Sequence, residues 1–227
     1  DDFSTFTLRL INEMPILQHL KPQDSQRNSK VAFDVAPAPA SHAPSVVSKG
    51  ITSQITGSRA DLIIADDVES LNNSATQMMR DKLGEVIKEF DAVLKPGGDI
   101  VFLGTPQTES SLYSVMPERG FKTRIWPARY PTPKQRRGYG EYLAPTISDQ
   151  LDADLELSGD PTDPGRFDDT DLMERAASYG RTGFALQFML DPSLSDGDRY
   201  PLKLNDLVVM SLNARQGPEK TIWAASV

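Results

Sequence analysis

Residues 61–69 read Asp-Leu-Ile-Ile-Ala-Asp-Asp-Val-Glu, a short apolar run that is followed at once by carboxylates. The apolar residues 62–65 are too few for a helix and do not alternate with polar residues, so they predict a strand that is buried on both faces. Asp66, Asp67 and Glu69 are then expected at the carboxyl end of this strand.

The residues that follow predict a long helix. Asn73 or Ser74 is a candidate N-cap, and Pro96-Gly97-Gly98 is expected to end the helix. The apolar residues between these points recur at helical spacing: Met78, Met79, Leu83, Val86, Ile87, Phe90, Val93 and Leu94. A helix of this length can cross over a sheet and lead into another strand.

A second buried strand is predicted at 100–103, and it leads into Gly104-Thr105-Pro106-Gln107. A strand, a helical crossover and another strand imply parallel pairing, and an open parallel sheet places its functional residues at the carboxyl ends of its strands. We therefore predict an α/β fold in which Thr105 and Gln107 lie beside Asp66 and Asp67.

Composition excludes several classes of function. The 227 residues include no cysteine, so disulfides, thiolate metal sites and cysteine nucleophiles are excluded. His19 and His42 are the only histidines, which is a poor supply for a zinc site or a histidine-based triad. No apolar run is long enough to cross a bilayer. The formal net charge of −8 at pH 7 argues against a protein that coats nucleic acid with its whole surface.

Positive charge is nevertheless concentrated in the segment 119–140, which contains no acid and is interleaved with aromatic residues. Such a segment can follow a phosphate backbone, with Trp126 and the tyrosines as packing or stacking groups. The alternative is a solvated loop whose aromatic residues belong to the core. The predicted nucleic-acid contacts are Arg124, Arg129, Lys134, Arg136 and Arg137.

Further elements are predicted along the rest of the chain. Helices are predicted from apolar spacing at 3–20 with a break near Pro15, at 110–113, at 168–179 with a stop at Gly180, and at 184–189. Strands are predicted from short apolar runs at 31–35, 46–56, 122–126, 202–210 and 221–227. From Pro127 onward, prolines and glycines predict a long irregular segment.

An apolar strand that ends in adjacent carboxylates has the chemistry of a Walker B element. On this interpretation Asp66 binds Mg²⁺, and Asp67 or Glu69 orients the water that attacks the γ-phosphate of ATP. Thr105 and Gln107 can sense that phosphate from the end of the neighbouring strand. The alternative is structural, since many parallel strands end in Asp because of capping or turn formation.

Two further features bear on this hypothesis. Arg59 precedes the first strand and is a candidate arginine finger, although a lone arginine is more often a surface or ion-pair residue. No Gly-x-x-x-x-Gly-Lys-Ser/Thr phosphate loop occurs in the sequence. We therefore expect that loop upstream of Asp1, and we expect the chain to be a piece of a longer protein.

Four long motifs resemble one family. They are GITSQITGSRADLIIADDVE (50–69), LGTPQ (103–107), RIWPARYP (124–131) and GFALQFML (183–190). Together they resemble the large terminase subunit, or DNA maturase, of short-tailed, podovirus-type phages. That family joins an N-terminal ATPase of the additional-strand, RecA-like kind to a C-terminal RNase-H-like nuclease, and it pumps DNA into an empty capsid.

The resemblance implies a role for each site residue. Asp66 resembles the Walker B magnesium ligand and Asp67 the catalytic carboxylate. Glu69 is the alternative to Asp67, because the family more widely has Glu at the second place. Gly104-Thr105-Pro106-Gln107 resembles the coupling motif that links hydrolysis to domain movement, and Arg59 is similar in placement to an arginine finger.

The resemblance also implies a division of the chain. Residues 1–137 are expected to be the C-terminal part of a P-loop ATPase domain, with a RecA-like parallel sheet and flanking helices. Residues 138–215 are expected to form a small irregular and helical linker or lid subdomain, and 216–227 the first strand of a truncated nuclease domain. On its own this piece is expected to lack nuclease activity and to be inactive as an ATPase.

Cofactors and partners follow from the same family. ATP and Mg²⁺ are the expected cofactors. The expected partners are double-stranded DNA, the portal protein and the small terminase subunit, with the protein assembled as a homo-oligomeric ring on the procapsid. The expected location is the cytoplasm of the host cell, without a membrane partner.

Two other functions compete with this one. The motif VLKPGGDIVF (93–102) also resembles the later motifs of a class I S-adenosylmethionine-dependent methyltransferase, although the Gly-rich cofactor loop and the acidic ribose partner of that fold are absent from the sequence. The third hypothesis is a non-enzymatic interaction module in which 119–137 contacts DNA or a portal protein. Salt-dependent DNA binding without any effect of nucleotide would favour it.

Overall fold

A pair of parallel strands joined by one long helix forms the centre of the fold. The computed structural model describes residues 2–53, 55, 57–108 and 110–193. Strand β3 (Ala60–Asp66) pairs in parallel with strand β4 (Leu94–Leu103), and helix α3 (Gln77–Val93) connects them. The predicted parallel strand–helix–strand unit is therefore confirmed.

One face of this sheet is covered and the other is exposed. Leu83, Ile87 and Phe90 of α3 pack with Ala65, and Phe102 packs against the same cluster. The prediction that the first strand is buried on both faces is wrong for the described residues. The other face carries apolar side chains that are between 41% and 54% exposed: Leu62, Ile64, Val101 and Leu103. The physical reason is that the described sheet has two strands and α3 lies on only one side of it.

The Pro96-Gly97-Gly98 turn does not end the helix as predicted, because α3 already ends at Val93. The turn lies inside β4, where the strand register shifts: Ala60 pairs with Leu94, but Leu62 pairs with Asp99. The extra residues of β4 form an irregularity that glycine accommodates, since Gly97 has a φ of +80°.

The beginning of α3 also differs from the prediction. Thr76 is its N-cap, and the Thr76 hydroxyl accepts a hydrogen bond of 3.3 Å from the Met79 N–H. Asn73 and Ser74 belong instead to a separate short helix, α2 (Leu71–Ser74), whose N-cap is Ser70. Asn73 completes a capping box there, so this capping residue belongs to the start of α2 and not to the start of α3.

The N-terminal elements follow the predicted order with shorter strands. Helix α1 (Asp2–Glu13) is followed by a 3₁₀ helix (Pro15–Leu20), so the predicted break near Pro15 is confirmed. Strands β1 (Ala32–Phe33) and β2 (Val46–Val47) pair antiparallel over two residues each. The Pro/Ala-rich residues between them form no strand or helix.

The segment after β4 is more regular than predicted. It contains α4 (Leu112–Val115), α5 (Pro133–Tyr139) and α6 (Pro145–Ala153), with 3₁₀ turns at Pro117–Arg119, Gly140–Tyr142 and Leu155–Leu157. The prediction of a long irregular segment from Pro127 is therefore wrong: Pro133 and Pro145 begin helices at a position where a missing N–H costs nothing. The strand predicted at 122–126 is also wrong, since Ile125 makes a single bridge to Leu143.

Helix α7 (Asp169–Gln187) closes the described part of the chain. Asp168 is its N-cap, as predicted. Gly180 has non-helical backbone angles, φ 67° and ψ 175°, so the helix is broken there, and the predicted stop at Gly180 with a second helical segment after it is confirmed. The strands predicted at 202–210 and 221–227 lie outside the described residues, as do the nuclease strand at 216–227 and the end of the predicted linker. Within the described part, no helix is both long and apolar enough to cross a membrane.

Replacing Gly84 with alanine is expected to stabilise the protein. Gly84 lies in the middle of α3, where an added Cβ meets no neighbouring atom within 4 Å. The free energy of unfolding, measured by urea denaturation, is expected to rise by about 0.5–1 kcal/mol, because alanine loses less conformational entropy than glycine in a helix. Gly98→Ala is the control and is expected to destabilise, because its Cβ would lie 2.7 Å from the Asp61 carbonyl oxygen. An equal change in the free energy of unfolding in Gly84→Ala and Gly98→Ala would contradict the packing described for these two glycines.

Candidate functional site

The carboxyl ends of β3 and β4 lie side by side, as the sequence predicted. Asp66 is opposite Leu103 in the strand register, and the Asp67 N–H donates a hydrogen bond of 3.0 Å to the Leu103 carbonyl. The two following loops therefore begin next to each other. One carries Asp67 and Glu69, and the other is Gly104-Thr105-Pro106-Gln107.

Asp66 and Asp67 are exposed at this edge. Asp67 has a φ of 44°, in the left-handed region that Asp tolerates better than most residues, so the chain turns sharply as soon as the strand ends. Within the described residues, neither carboxylate is engaged by a hydrogen bond or an ion pair. Both are therefore available to a ligand.

Glu69 has a different environment, because its side chain is only 3% exposed. Its Oε1 accepts a hydrogen bond of 3.0 Å from the Gln107 N–H, and its Oε2 accepts one of 2.5 Å from the Leu112 N–H. The carboxylate thus connects the turn after β3 to the loop after β4 and to the start of α4. Of the two alternatives for a carboxylate that reaches a ligand, this geometry favours Asp67 over Glu69.

Tyr113 holds the end of β4 from the other side. Its hydroxyl donates a hydrogen bond of 3.2 Å to the Leu103 carbonyl. A Cβ at Gly104, whose φ is +158°, would overlap the Tyr113 hydroxyl, so glycine is required at that position. Burial, together with the negative charges of Glu69, Asp67 and Asp66, raises the pKa of Tyr113 to about 12.

An open cavity of about 440 Å³ lies in front of these loops. It brings together Asp67, Thr105 and Gln107, as the sequence predicted, and the Gln107 side chain donates to the Thr105 carbonyl at 3.1 Å. Gln187, at the end of α7, also lines it, and the sequence analysis missed this residue because a glutamine in an amphipathic helix carries no distinctive pattern. The complete lining is Asp67, Glu69, Ser70, Leu71, Asn72, Thr105, Gln107 and Gln187.

Arg59 is not brought to this site. It precedes β3 at the amino end of the strand, whereas Asp66 is its last residue. Seven residues of strand place the two ends about 20 Å apart. The Arg59 guanidinium donates to the Ser58 carbonyl at 2.7 Å and is exposed. Within one described chain, Arg59 therefore does not reach a ligand bound at Asp66.

The basic segment does not form one continuous cationic surface. Arg129 pairs with Asp169 at 2.5 Å, and Arg136 pairs with Asp152 at 2.7 Å, which holds the pKa of Asp152 below its ordinary value. Arg124 donates to the Thr123 carbonyl at 2.7 Å. Two of the predicted cations are exposed and engaged by no partner within the described residues: Lys134 and Arg137.

The aromatic residues of this segment are divided between core and surface. Tyr130 and Tyr139 are buried in a second hydrophobic cluster with Leu143 and Ile147, which supports the prediction that they belong to the core. Trp126 is 60% exposed and remains available as a contact residue.

The fold and the site place the chain among α/β proteins whose exposed polar groups gather at the carboxyl edge of a parallel sheet. In sequence, the chain is similar to one particular protein: it is 50% identical over 225 residues to the large terminase subunit of Enterobacteria phage T3. This similarity confirms the resemblance to the large terminase subunit of podovirus-type phages. It gives no support to the methyltransferase alternative.

The alignment covers 97% of this chain and 38% of the T3 protein. The chain thus spans little more than a third of the length of that relative. No protein-family model matches the chain.

Replacing Glu69 with alanine is expected to destabilise the protein, because it leaves the Gln107 and Leu112 N–H groups without their acceptor. The free energy of unfolding is expected to fall by about 2–4 kcal/mol, since each of these bonds involves a buried, charged acceptor. Glu118→Ala, which removes an exposed glutamate, is the matched control and is expected to change it by less than about 0.5 kcal/mol. Equal unfolding midpoints for the two variants would contradict the bridging role.

Tyr113 is expected to make the stability depend on alkaline pH. A raised pKa means that the folded state holds the phenol proton more tightly than the unfolded state, whose tyrosine pKa is about 10. The contribution is therefore complete below about pH 10 and is lost as the pH rises through about 12. An ultraviolet titration of tyrosinate should show one late transition fewer in Tyr113→Phe than in Tyr179→Phe, which removes an exposed tyrosine. Identical titrations would contradict the burial of Tyr113.

Proposed function

We propose that this chain is part of a viral DNA-packaging motor, the large terminase subunit, which couples ATP hydrolysis to the translocation of double-stranded DNA into a procapsid. One observation supports this most directly: Asp66 and Asp67 lie free at the end of β3, and the Glu69 carboxylate connects their loop to Gly104-Thr105-Pro106-Gln107. The similarity to the T3 large terminase subunit over almost the whole chain supports the same function.

On this proposal the sheet is part of a RecA-like, additional-strand ATPase domain. The parallel pairing of β3 and β4 across α3 is compatible with such a sheet, and so is the position of the carboxylates at its carboxyl edge. The phosphate loop that binds the β- and γ-phosphates is then supplied by residues outside this sequence.

The donor groups at the edge fit a Mg²⁺ ion. The described residues contain no cluster of three acidic or histidine side chains that would form an all-protein metal site. Mg²⁺ in nucleotide enzymes does not require one, since it is held by one or two carboxylates together with water and substrate phosphates. Asp66 is the residue that would hold it here. The ion would neutralise charge on the phosphates of ATP.

Asp67 then acts on the attacking water. Its exposed carboxylate accepts a hydrogen bond from that water and orients it toward the γ-phosphorus. Hydrolysis joins the water oxygen to phosphorus and breaks the bond to the β,γ-bridging oxygen, which leaves with ADP. We assign this step to Asp67 and not to Glu69, because Glu69 is buried and each of its oxygens already accepts a backbone hydrogen bond.

Glu69 gives this site a route to the rest of the molecule. A displacement of the Asp67 turn would move Glu69. The two hydrogen bonds of Glu69 would transmit that movement to Gln107 and Leu112. The hydrogen bond from the Gln107 N–H to Glu69 supports the assignment of residues 104–107 as the coupling motif. Lys122, Lys134, Arg137 and Trp126 are residues of the basic segment that are exposed and remain free to meet DNA.

The remaining assignments complete the proposal. Arg59 is too far from Asp66 to act on ATP in its own chain, so as an arginine finger it acts on the neighbouring subunit of a ring. The ring assembles on the procapsid, in the cytoplasm of the host cell, with the portal protein and the small terminase subunit as partners. Nuclease activity belongs to the other part of the full-length protein.

DNA-stimulated ATP hydrolysis by the full-length protein tests this function. Asp66→Ala is expected to lose Mg²⁺-dependent nucleotide binding, whereas Asp67→Asn is expected to bind ATP and to hydrolyse it at least about 100-fold more slowly. Asp24→Ala, in an exposed loop far along the chain from the site, is the matched control and should hydrolyse ATP normally.

Two results would contradict the function. One is normal ATP turnover in both Asp66→Ala and Asp67→Asn, which would show that hydrolysis requires neither carboxylate. The other is an absence of ATP turnover in the parent protein together with calorimetric binding of S-adenosylmethionine, which would favour a methyltransferase.

A further inference from the structure

Gln187 is the one residue of the candidate cavity that comes from the C-terminal half of the described chain. It is exposed at the end of α7, and it lines the same space as Asp67, Thr105 and Gln107. Among the described residues, no group is hydrogen-bonded to its side-chain amide. A polar side chain that faces the carboxylate edge without a protein partner is available to a ligand there.

The backbone around Gln187 is held firmly. The Ala128 N–H donates to the Phe188 carbonyl at 2.7 Å, the Tyr139 hydroxyl donates to the Met189 carbonyl, and the Asp191 N–H donates to the Ala185 carbonyl at 2.9 Å. The first two contacts join GFALQFML (183–190) to the segment that begins with RIWPARYP (124–131), and the third closes the end of α7. Two motifs without an assigned role therefore act together to place Gln187.

Aromatic packing fixes the same end of the helix. The ring of Phe188 stacks on Phe184 with 5.1 Å between centroids, and it meets the edges of Tyr179 at 5.4 Å and Phe167 at 6.2 Å. Phe188, the residue after Gln187, is thus held by three aromatic rings. The Gln187 side chain takes no part in these ring contacts, so its removal is expected to leave the aromatic packing intact.

We propose that Gln187 is a further residue of the nucleotide site and that its side-chain amide donates a hydrogen bond to the terminal phosphate of a nucleoside triphosphate. The proposal rests on the function proposed above, since that function places the phosphate beside Asp66 and Asp67. A neutral amide suits this place, because it can donate to a phosphate oxygen without forming an ion pair with the nearby carboxylates. Loss of the terminal phosphate then releases α7 from the sheet edge.

Helix α7 connects the cavity to the helical part of the chain. Its far end is tied to the helical part of the chain, where Asp169 pairs with Arg129 at 2.5 Å. Between the two ends, Gly180 interrupts the helical backbone with φ 67° and ψ 175°, a conformation that glycine adopts without steric strain, so the two helical segments can change their relative angle there. The occupation of the nucleotide site thereby biases the position of the helical part relative to the sheet.

The experiment compares nucleotide affinities in the full-length protein. Gln187→Ala is expected to bind a non-hydrolysable ATP analogue roughly tenfold more weakly and to bind ADP normally, because only the triphosphate offers the terminal phosphate. Gln187→Glu is expected to weaken the analogue further, through repulsion between its carboxylate and the phosphate. Gln23→Ala, which removes another exposed glutamine, is the control and should leave both affinities unchanged.

The outcomes separate this inference from the function on which it rests. Unchanged affinity for the analogue in Gln187→Ala, or an equal loss for the analogue and ADP, overturns the contact; so does a lowered melting temperature that accounts for the loss. If Asp66→Ala still abolishes nucleotide binding in that case, the proposed function stands and only Gln187 is wrongly assigned. A parent protein that binds no ATP analogue overturns both.

Discussion

The buried carboxylate of Glu69 is the interaction on which the candidate site depends. It follows β3 and accepts hydrogen bonds from Gln107 and Leu112, which are 38 and 43 residues further along the chain. A buried charge is costly unless its acceptor positions are satisfied, so these three groups must stay together. The Glu69 carboxylate therefore ties the loop after β4 and the start of α4 to the turn that carries Asp67. On our proposal, this is the physical link between the carboxylates that act on ATP and the coupling motif.

One face of the same sheet is left exposed by the described residues. Helix α3 covers one face of β3 and β4, and the other face presents Leu62, Ile64 and Val101 to solvent. Contiguous apolar surface of this kind is usually covered by another element. The chain spans 38% of the T3 relative, and on our proposal the other parts of such a protein provide that cover.

Two arginines of the helical part form ion pairs with acidic residues that follow them in the chain. Arg129 pairs with Asp169 and Arg136 pairs with Asp152, so the acidic segment that follows neutralises part of the basic segment 119–140. Sequence alone separates these two segments as a cationic and an anionic block. The fold brings charges of the two segments together in ion pairs, and Gln187, at the end of α7, lies beside the sheet edge.

The sequence by itself determined the parallel strand–helix–strand unit and the position of Asp66, Asp67 and residues 104–107 at one edge, because apolar spacing and turn residues act over short distances. Only the tertiary structure decided that Glu69 bridges two loops and that Gln187 reaches the cavity. It also placed the Pro-Gly-Gly turn inside β4, where the strand register shifts. Each of these depends on a partner that is distant in sequence, and local propensity carries no information about which distant groups will meet.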